Sequence, residues 1–254
     1  MIQITCKITQ KRRLHSNCFD FWISSPEMTR DAVAGQFLHI RCGEKVLRRP
    51  ISICETDKEA AELRIVFEVR GEGTKWLSER SVGEYLDVLG PLGNGFDLSD
   101  TGRKALFIGG GIGVPPLLEA AKAFGRRADA VLGFRCADST ILTEDFKNTC
   151  SNVYIACEDG TIGSKGLVTD ILNTLLNTAH YEVFYACGPQ PMLHAVSSVA
   201  AKSNIDCYVS LEERMGCGVG ACLVCACKTK TGGKETYRHV CKDGPVFKSD
   251  EVEW

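Results

Sequence analysis

No stretch of this 254-residue chain stays apolar long enough to cross a bilayer. The most hydrophobic run, 105–123, is interrupted by Gly109, Gly110, Gly111, Gly113, Pro115 and Pro116. The opening MIQITCKITQKRRL alternates polar and apolar residues and lacks the apolar centre of an export signal. A strong charge of either sign is missing too. The formal net charge is −2, so global attraction to nucleic acid or to an acidic membrane is not expected, and any phosphate site must be local. Internal repeats and low-complexity tracts are absent. These absences predict a cytoplasmic protein with neither a nucleic-acid nor a membrane partner.

Cysteine is plentiful: the chain has 14. Without an export signal they are expected to be reduced. Nine are scattered (Cys6, Cys18, Cys42, Cys54, Cys136, Cys150, Cys157, Cys187, Cys207) and suit small buried positions. The other five crowd into 217–241. That density calls for its own explanation.

Three patterns divide the chain. Apolar residues alternate with polar ones over roughly 2–9, 18–25, 36–41, 50–55, 62–69 and 84–89. This is the period of half-buried antiparallel strands, and it predicts a small six-stranded barrel or sandwich over 1–100. From 101 to 206 the alternation stops. Apolar runs at 104–109, 130–134, 153–157 and 183–187 take turns with helical stretches at 115–124, 142–148, 167–176 and 191–202. Strand and helix in alternation predict a parallel sheet with crossover helices. Residues 207–254 hold few apolar positions and much glycine and cysteine, so this segment needs a metal or disulfide staple.

The staple is legible. Cys217, Cys222 and Cys225 form C-x4-C-x2-C, and Cys241 follows after fifteen residues. This is the plant-type 2Fe–2S spacing. Gly216, Gly218 and Gly220 would let the backbone wrap closely and aim N–H groups at sulfur. Cys227, two residues beyond Cys225, reads as a nonligand. A four-cysteine zinc site and unligated thiols are the alternatives, although zinc favours two tight C-x2-C knuckles and only one is present.

Elsewhere the motifs are weaker. Gly109–Pro116 follows an apolar strand and opens a helix, as a pyrophosphate-binding turn does, but Pro116 stands where the common dinucleotide fingerprint ends in glycine. A plain tight loop would look the same. Cys187-Gly188-Pro189 also ends a strand and opens a helix, as a ligand edge or simply as a helix start with proline. Asp159, in Glu158-Asp159-Gly160-Thr161, could accept from ribose hydroxyls and repel a 2′-phosphate, or could be a solvated acidic turn. In the first hundred residues Arg48 and Arg49 precede Pro50-Ile51-Ser52, and Gly71-Glu72-Gly73-Thr74 precedes a short helix at 75–79. Two anion sites on one barrel suit a dinucleotide such as FAD. A surface basic pair and an ordinary helix cap would also account for them.

Taken in order, Arg-Pro-x-Ser, Gly-x-Gly-x-x-Pro and Cys-Gly-Pro resemble the ferredoxin–NADP reductase superfamily. The cysteine segment, with the later stretch HVCKDGPVF, narrows the resemblance to the electron-transfer subunits of dihydroorotate dehydrogenase B. The resemblance covers nearly the whole chain. It implies that Arg49 binds the FAD pyrophosphate, that Pro50, Ile51 and Ser52 line the flavin, and that Val66, Phe67 and Glu68 contact it from the next strand. Gly73 and Thr74 would give N–H groups to the pyrophosphate. Gly111, Gly113, Pro116 and Asp159 would serve NAD, with Cys187 near the meeting of nicotinamide and flavin. Cys217, Cys222, Cys225 and Cys241 would hold the cluster.

The resemblance further implies an FMN-containing catalytic partner that carries the dihydroorotate site, in a heterotetramer of two copies each. Electrons would run from that FMN through 2Fe–2S and FAD to NAD⁺. Two rival readings follow from the same residues. One is the corresponding subunit of an NADPH-dependent ferredoxin oxidoreductase or sulfide dehydrogenase. The other is a nonenzymatic sensing or assembly module with a structural four-cysteine site.

Overall fold

The structure, a computed structural model, describes the backbone of residues 1–254 and every side chain but that of Thr231. The chain divides into two compact units. One comprises 1–95, 212–227 and 238–245; the other comprises 96–211, 228–237 and 246–254.

In the first unit, six strands close into an antiparallel barrel. They are β1 (Ile2–His15), β2 (Cys18–Ser24), β3 (Phe37–Ile40), β4 (Arg49–Asp57), β5 (Glu62–Glu68) and β6 (Tyr85–Leu92), in the order β1-β2-β5-β4-β3-β6. The alternation read from the sequence becomes the wall of this barrel. Ile8, Phe21, Ile23, Leu38, Ile40, Ile53, Ile65, Phe67, Leu86 and Val88 fill its inside. Two short helices decorate it, α1 (Pro26–Asp31) and α2 (Glu72–Ser78). β1 runs on to His15, well past its alternating part. Its polar end stays paired with β2, where Arg12 meets the buried Asp20 at 2.6 Å.

The second unit is a seven-stranded sheet. β7 (Ala105–Gly110), α3 (Pro115–Phe124), β8 (Ala128–Phe134), α4 (Thr143–Thr149), β9 (Asn152–Cys157), β10 (Ser164–Lys165), α5 (Val168–Leu176), β11 (Val183–Cys187), α6 (Gln190–Lys202) and β12 (Asp206–Ser210) alternate strand and helix. A hairpin of β13 (Ala226–Thr231) and β14 (Lys234–His239) follows, and β15 (Val246–Lys248) returns to the sheet edge. The order is β10-β9-β8-β7-β11-β12-β15, parallel but for β15, which pairs antiparallel with β12. The chain works outward from β7 through β8 and β9, then comes back to β7's other side with β11. The topological switch point therefore lies between β7 and β11, where open α/β sheets bind ligands at the carboxyl ends.

None of the fourteen cysteines is joined in a disulfide. Of the nine scattered ones, seven are buried; Cys136 and Cys187 are half-buried. Among the described residues, no helix is long and apolar enough to cross a membrane.

Candidate functional site

The cysteine loop belongs to the barrel unit. Its sulfurs gather as two pairs. Cys225 and Cys241 lie 3.2 Å apart, and the Cys217 N–H reaches Cys222 Sγ at 3.4 Å. Every sulfur accepts from the backbone. Val219 and Ala221 N–H donate to Cys217 Sγ at 3.4 and 3.2 Å, Gly220 N–H to Cys241 Sγ at 3.1 Å, and Cys241 N–H to Cys225 Sγ at 3.5 Å. Such donors stabilise thiolates and set cluster potentials. The effect is visible at Cys217. Burial opposes its thiolate, but the N–H groups of Val219, Cys222 and Ala221 bring it down to about 6. Cys241 goes the other way: burial and the Cys225 thiol beside it push it up to about 12.

Among the described residues, no three His, Cys, Asp or Glu side chains close on a single ion position. Two pairs match a dinuclear centre, with two cysteines for each iron, better than one zinc tetrahedron. The wrapping that this requires is strained. Gly218 and Gly220 have φ of 75° and 81°, and Leu223, which is not a glycine, has φ of 61°. Cys227 lies outside the group, its Sγ donating to the Arg238 carbonyl at 3.4 Å across the hairpin. The donor set, the pairing and the N–H groups fit a 2Fe–2S cluster.

On the barrel wall, Arg48 and Arg49 have different tasks. Arg48 makes a two-pronged ion pair with Asp87 at 2.9 and 3.0 Å, which makes it structural. Arg49 meets no carboxylate among the described residues; its Nη1 donates to the carbonyls of Leu47 and Arg48. Its guanidinium lies directly over Gly73, the second residue of α2. A methyl group there would stand 2.5 Å from Nε. Thr74 Oγ1 accepts from the N–H of Arg70 at 2.9 Å and of Gly71 at 3.3 Å, which fixes the start of α2. An arginine that meets no carboxylate, lying over a glycine whose bare α-carbon leaves room for its guanidinium, fits a pyrophosphate.

Strand parity divides the other expected flavin contacts. Ile51 and Phe67 point into the barrel core, where Phe67 stacks on Phe19 and meets Phe21 edge-on. Only their backbone could meet a flavin. Pro50 and Ser52 on β4, and Val66 and Glu68 on β5, alternate with them and face outward. These residues fit FAD.

In the sheet unit, the two glycine turns meet at the switch point. Gly109 pairs with Cys187 in register, and a methyl on Gly113 would lie 2.4 Å from the Cys187 carbonyl oxygen. Gly110 is pressed against Met192 and Pro189 in the same way. Gly111 differs. Its φ is 53° and nothing lies within 4 Å of where its Cβ would be. It is the position that a nucleotide phosphate could approach. Gly113 and Pro116 are buried packing residues. Asp159 lies beyond β9, two strands from β7. Its Oδ1 accepts from Cys157 Sγ and from both N–H and hydroxyl of Thr161, and these contacts hold its carboxyl below the usual range. The sheet edge fits a dinucleotide, with Gly111 as the open position.

Sequence reasoning missed His39. It lies on β3 opposite Pro50 and is fully buried, and neither ring nitrogen has a hydrogen-bond partner. Burial and the cations Arg48 and Arg49 lower its pKa, which keeps the ring neutral. The only sequence signal was an outward-facing imidazole in an otherwise apolar strand.

Comparison with known proteins agrees with this geometry. The sequence pattern of the iron–sulfur cluster binding domain of dihydroorotate dehydrogenase B matches residues 212–253. The chain is 40% identical to the dihydroorotate dehydrogenase B (NAD(+)) electron transfer subunit of Geobacillus sp. (strain WCH70), covering 99% of each chain. It is 42% identical to that of Bacillus pumilus, covering 96% of each. Among solved structures, an NADH-dependent reduced ferredoxin-NADP oxidoreductase, described for flavin-based electron bifurcation, superposes with a TM-score of 0.86 at 32% identity, over 98% of this chain and 90% of that one. A barrel with an anion cradle, a switch-point glycine edge and paired cysteines, in a chain this close to these relatives, leads to one assignment: the chain belongs to the family of dihydroorotate dehydrogenase B electron transfer subunits.

Proposed function

We propose that this chain is the electron-transfer subunit of an NAD-linked dihydroorotate dehydrogenase and connects a catalytic partner to the nicotinamide pool. The observation that carries the reading is the cysteine loop, four thiols in two pairs with a backbone N–H on every sulfur, within the 212–253 match. When bound, the 2Fe–2S cluster supplies one-electron transfer and FAD the exchange between single electrons and a hydride.

The chain's own residues supply the rest. Cys217, Cys222, Cys225 and Cys241 would hold the two irons, and the loop's N–H groups stabilise their thiolates. Arg49, with Gly73 beneath it and Thr74 fixing the start of α2, would take the FAD pyrophosphate. Pro50, Ser52, Val66 and Glu68 would face the flavin, with the backbone of Ile51 and Phe67 behind them. Gly111 would admit the NAD phosphates, while Gly113 and Pro116 shape the turn. Cys187, at the end of β11, would lie by the nicotinamide. The charge on Asp159 favours NAD over NADP, since a 2′-phosphate near it would be repelled. In this reading 1–100 serves FAD, 101–206 NAD and 207–254 the cluster. The partner carries FMN and the dihydroorotate site, two copies of each chain assemble, and the complex works in the cytoplasm.

Co-purification with the partner, followed by a dihydroorotate–NAD⁺ assay, tests the reading. Orotate formation coupled to NADH is expected. A complex that instead reduces ferredoxin from NADPH and ignores dihydroorotate would assign the chain to the ferredoxin oxidoreductases, the class of the 32% identical structure.

A further inference from the structure

His39 is a fully buried side chain of the barrel that the proposed function leaves unused, and both its ring nitrogens lack a hydrogen-bond partner. Leu38 and Ile40 on either side point into the core, so the imidazole projects from the outer wall of β3. Its neighbours in register are Pro50 on β4 and Leu89 on β6. The ring is nevertheless fully buried, because the cysteine loop covers it. A methyl on Gly218 would stand 2.6 Å from Nδ1 and 3.2 Å from Cε1. Gly218 is thus held to glycine twice over, by its φ of 75° and by this ring. The backbone of Arg48 on one side and of Cys217 on the other faces the imidazole, yet neither completes a hydrogen bond.

A purely structural filler would not be polar here. Burying an unpaired ring N–H carries a desolvation penalty that leucine would avoid. Nor do the thiolates need the ring as a donor, since each already accepts from the backbone. What the ring does is span. One edge lies against the loop that starts at Cys217, and its strand neighbour is Pro50, next to Arg49.

We propose that His39 is a positioning residue for electron transfer between cluster and flavin, seating the Cys217–Gly218 peptide against the flavin-facing strand pair β3–β4. The inference rests on the proposed function, because it presumes both groups are bound. Removing the ring lets the loop settle differently against the wall and changes the path between the two redox groups while leaving the ligands themselves intact.

The test uses the intact complex with its partner and two variants, His39→Leu and His39→Gln. FAD and iron content report whether the cofactors are bound at all. The EPR signature of the reduced cluster and the stopped-flow rate at which NADH reduces it, set against the rate of FAD reduction, report the positioning. His39→Leu is expected to keep FAD and iron, to shift the EPR signature and to slow cluster reduction about tenfold with FAD reduction unchanged. His39→Gln, whose planar amide again faces the backbone of Arg48 and Cys217, is expected to recover most of that rate. A native signature and rate in His39→Leu overturns the proposal. So does loss of both cofactors in both variants, which would make the histidine merely structural. Wild-type complex without iron would sink the proposed function itself, and this inference with it.

Discussion

A single methyl group measures how closely the glycine turns of the sheet edge are packed. Gly113 has the Cys187 carbonyl oxygen 2.4 Å from where a Cβ would lie. That neighbour is backbone and cannot swing aside, so Gly113→Ala is expected to cost roughly 1–3 kcal/mol and to distort the Gly111 approach. Reduction of bound FAD by NADH should fall sharply, measured by stopped flow, while FAD content is kept. Native NADH kinetics would show that the turn does not shape the nucleotide site. Arg49 is the corresponding residue on the barrel. Charge-assisted hydrogen bonds are worth about 1.5–3 kcal/mol, so Arg49→Ala should weaken FAD retention roughly 10- to 100-fold, read by equilibrium dialysis. Arg48→Ala should damage stability instead, since Arg48 is committed to Asp87. Equal FAD loss in the two variants would contradict this division of labour.

At the scale of elements, legibility followed periodicity. The six barrel strands and the four apolar runs of the sheet stood out because apolar residues alone decided their pattern. What escaped was held by polar chemistry. The second half of β1 pairs through Arg12 and Asp20. α1 starts at Ser25, whose Oγ accepts from Met28 N–H, with Pro26 behind it; the capping signal was present but too short to register beside the strands. β12 and β15 are brief, and only pairing in the sheet marks them, β12 between β11 and β15 and β15 at the edge. The four cysteines that the structure gathers in two pairs were legible because their spacing marks them. Ile51 and Phe67 as core residues, and Gly113 as a packing glycine, were not, because parity and turn contacts appear only in three dimensions. Asp129 on β8 belongs to the same hidden class. It is buried, and Lys104 Nζ, Tyr181 hydroxyl and Asn152 side-chain N–H converge on its carboxylate at 2.8, 2.8 and 3.0 Å. Burial opposes its charge, but these partners outweigh it and hold its pKa below the usual value. Its folded pKa is depressed, so its stabilisation is complete above about pH 4 and is lost as pH falls through the folded value. Asp129→Ala should therefore cost about 3 kcal/mol at neutral pH, with the gap to wild type closing in acid, followed by denaturation from pH 7 to 3. A pH-independent difference would mean that the charge contributes nothing.

For the whole molecule, the two units separate the chemistry. The proposed FAD cradle and the paired cysteines belong to one, the switch-point glycines to the other. In the proposed function, electron entry from the partner would depend on the cysteine loop, and hydride exchange with NAD on the flavin cradle and the sheet edge. Cys222 is the exposed member of the four proposed cluster ligands, and Leu223 and Val224 beside it are 63% and 55% exposed. A hydroxyl there is a poor ligand for iron, yet it disturbs neither Arg49 nor Gly111. Cys222→Ser is therefore expected to abolish dihydroorotate–NAD⁺ activity in the complex while NADH reduction of an artificial acceptor largely survives. Gly113→Ala should fail in the acceptor assay while keeping its cluster, measured by iron content and visible absorption. These opposite outcomes require two functional halves in series, each assembled from its own residues. If Cys222→Ser loses both activities to the same degree with FAD still bound, the cluster is not a relay into the flavin but a support for the fold around it.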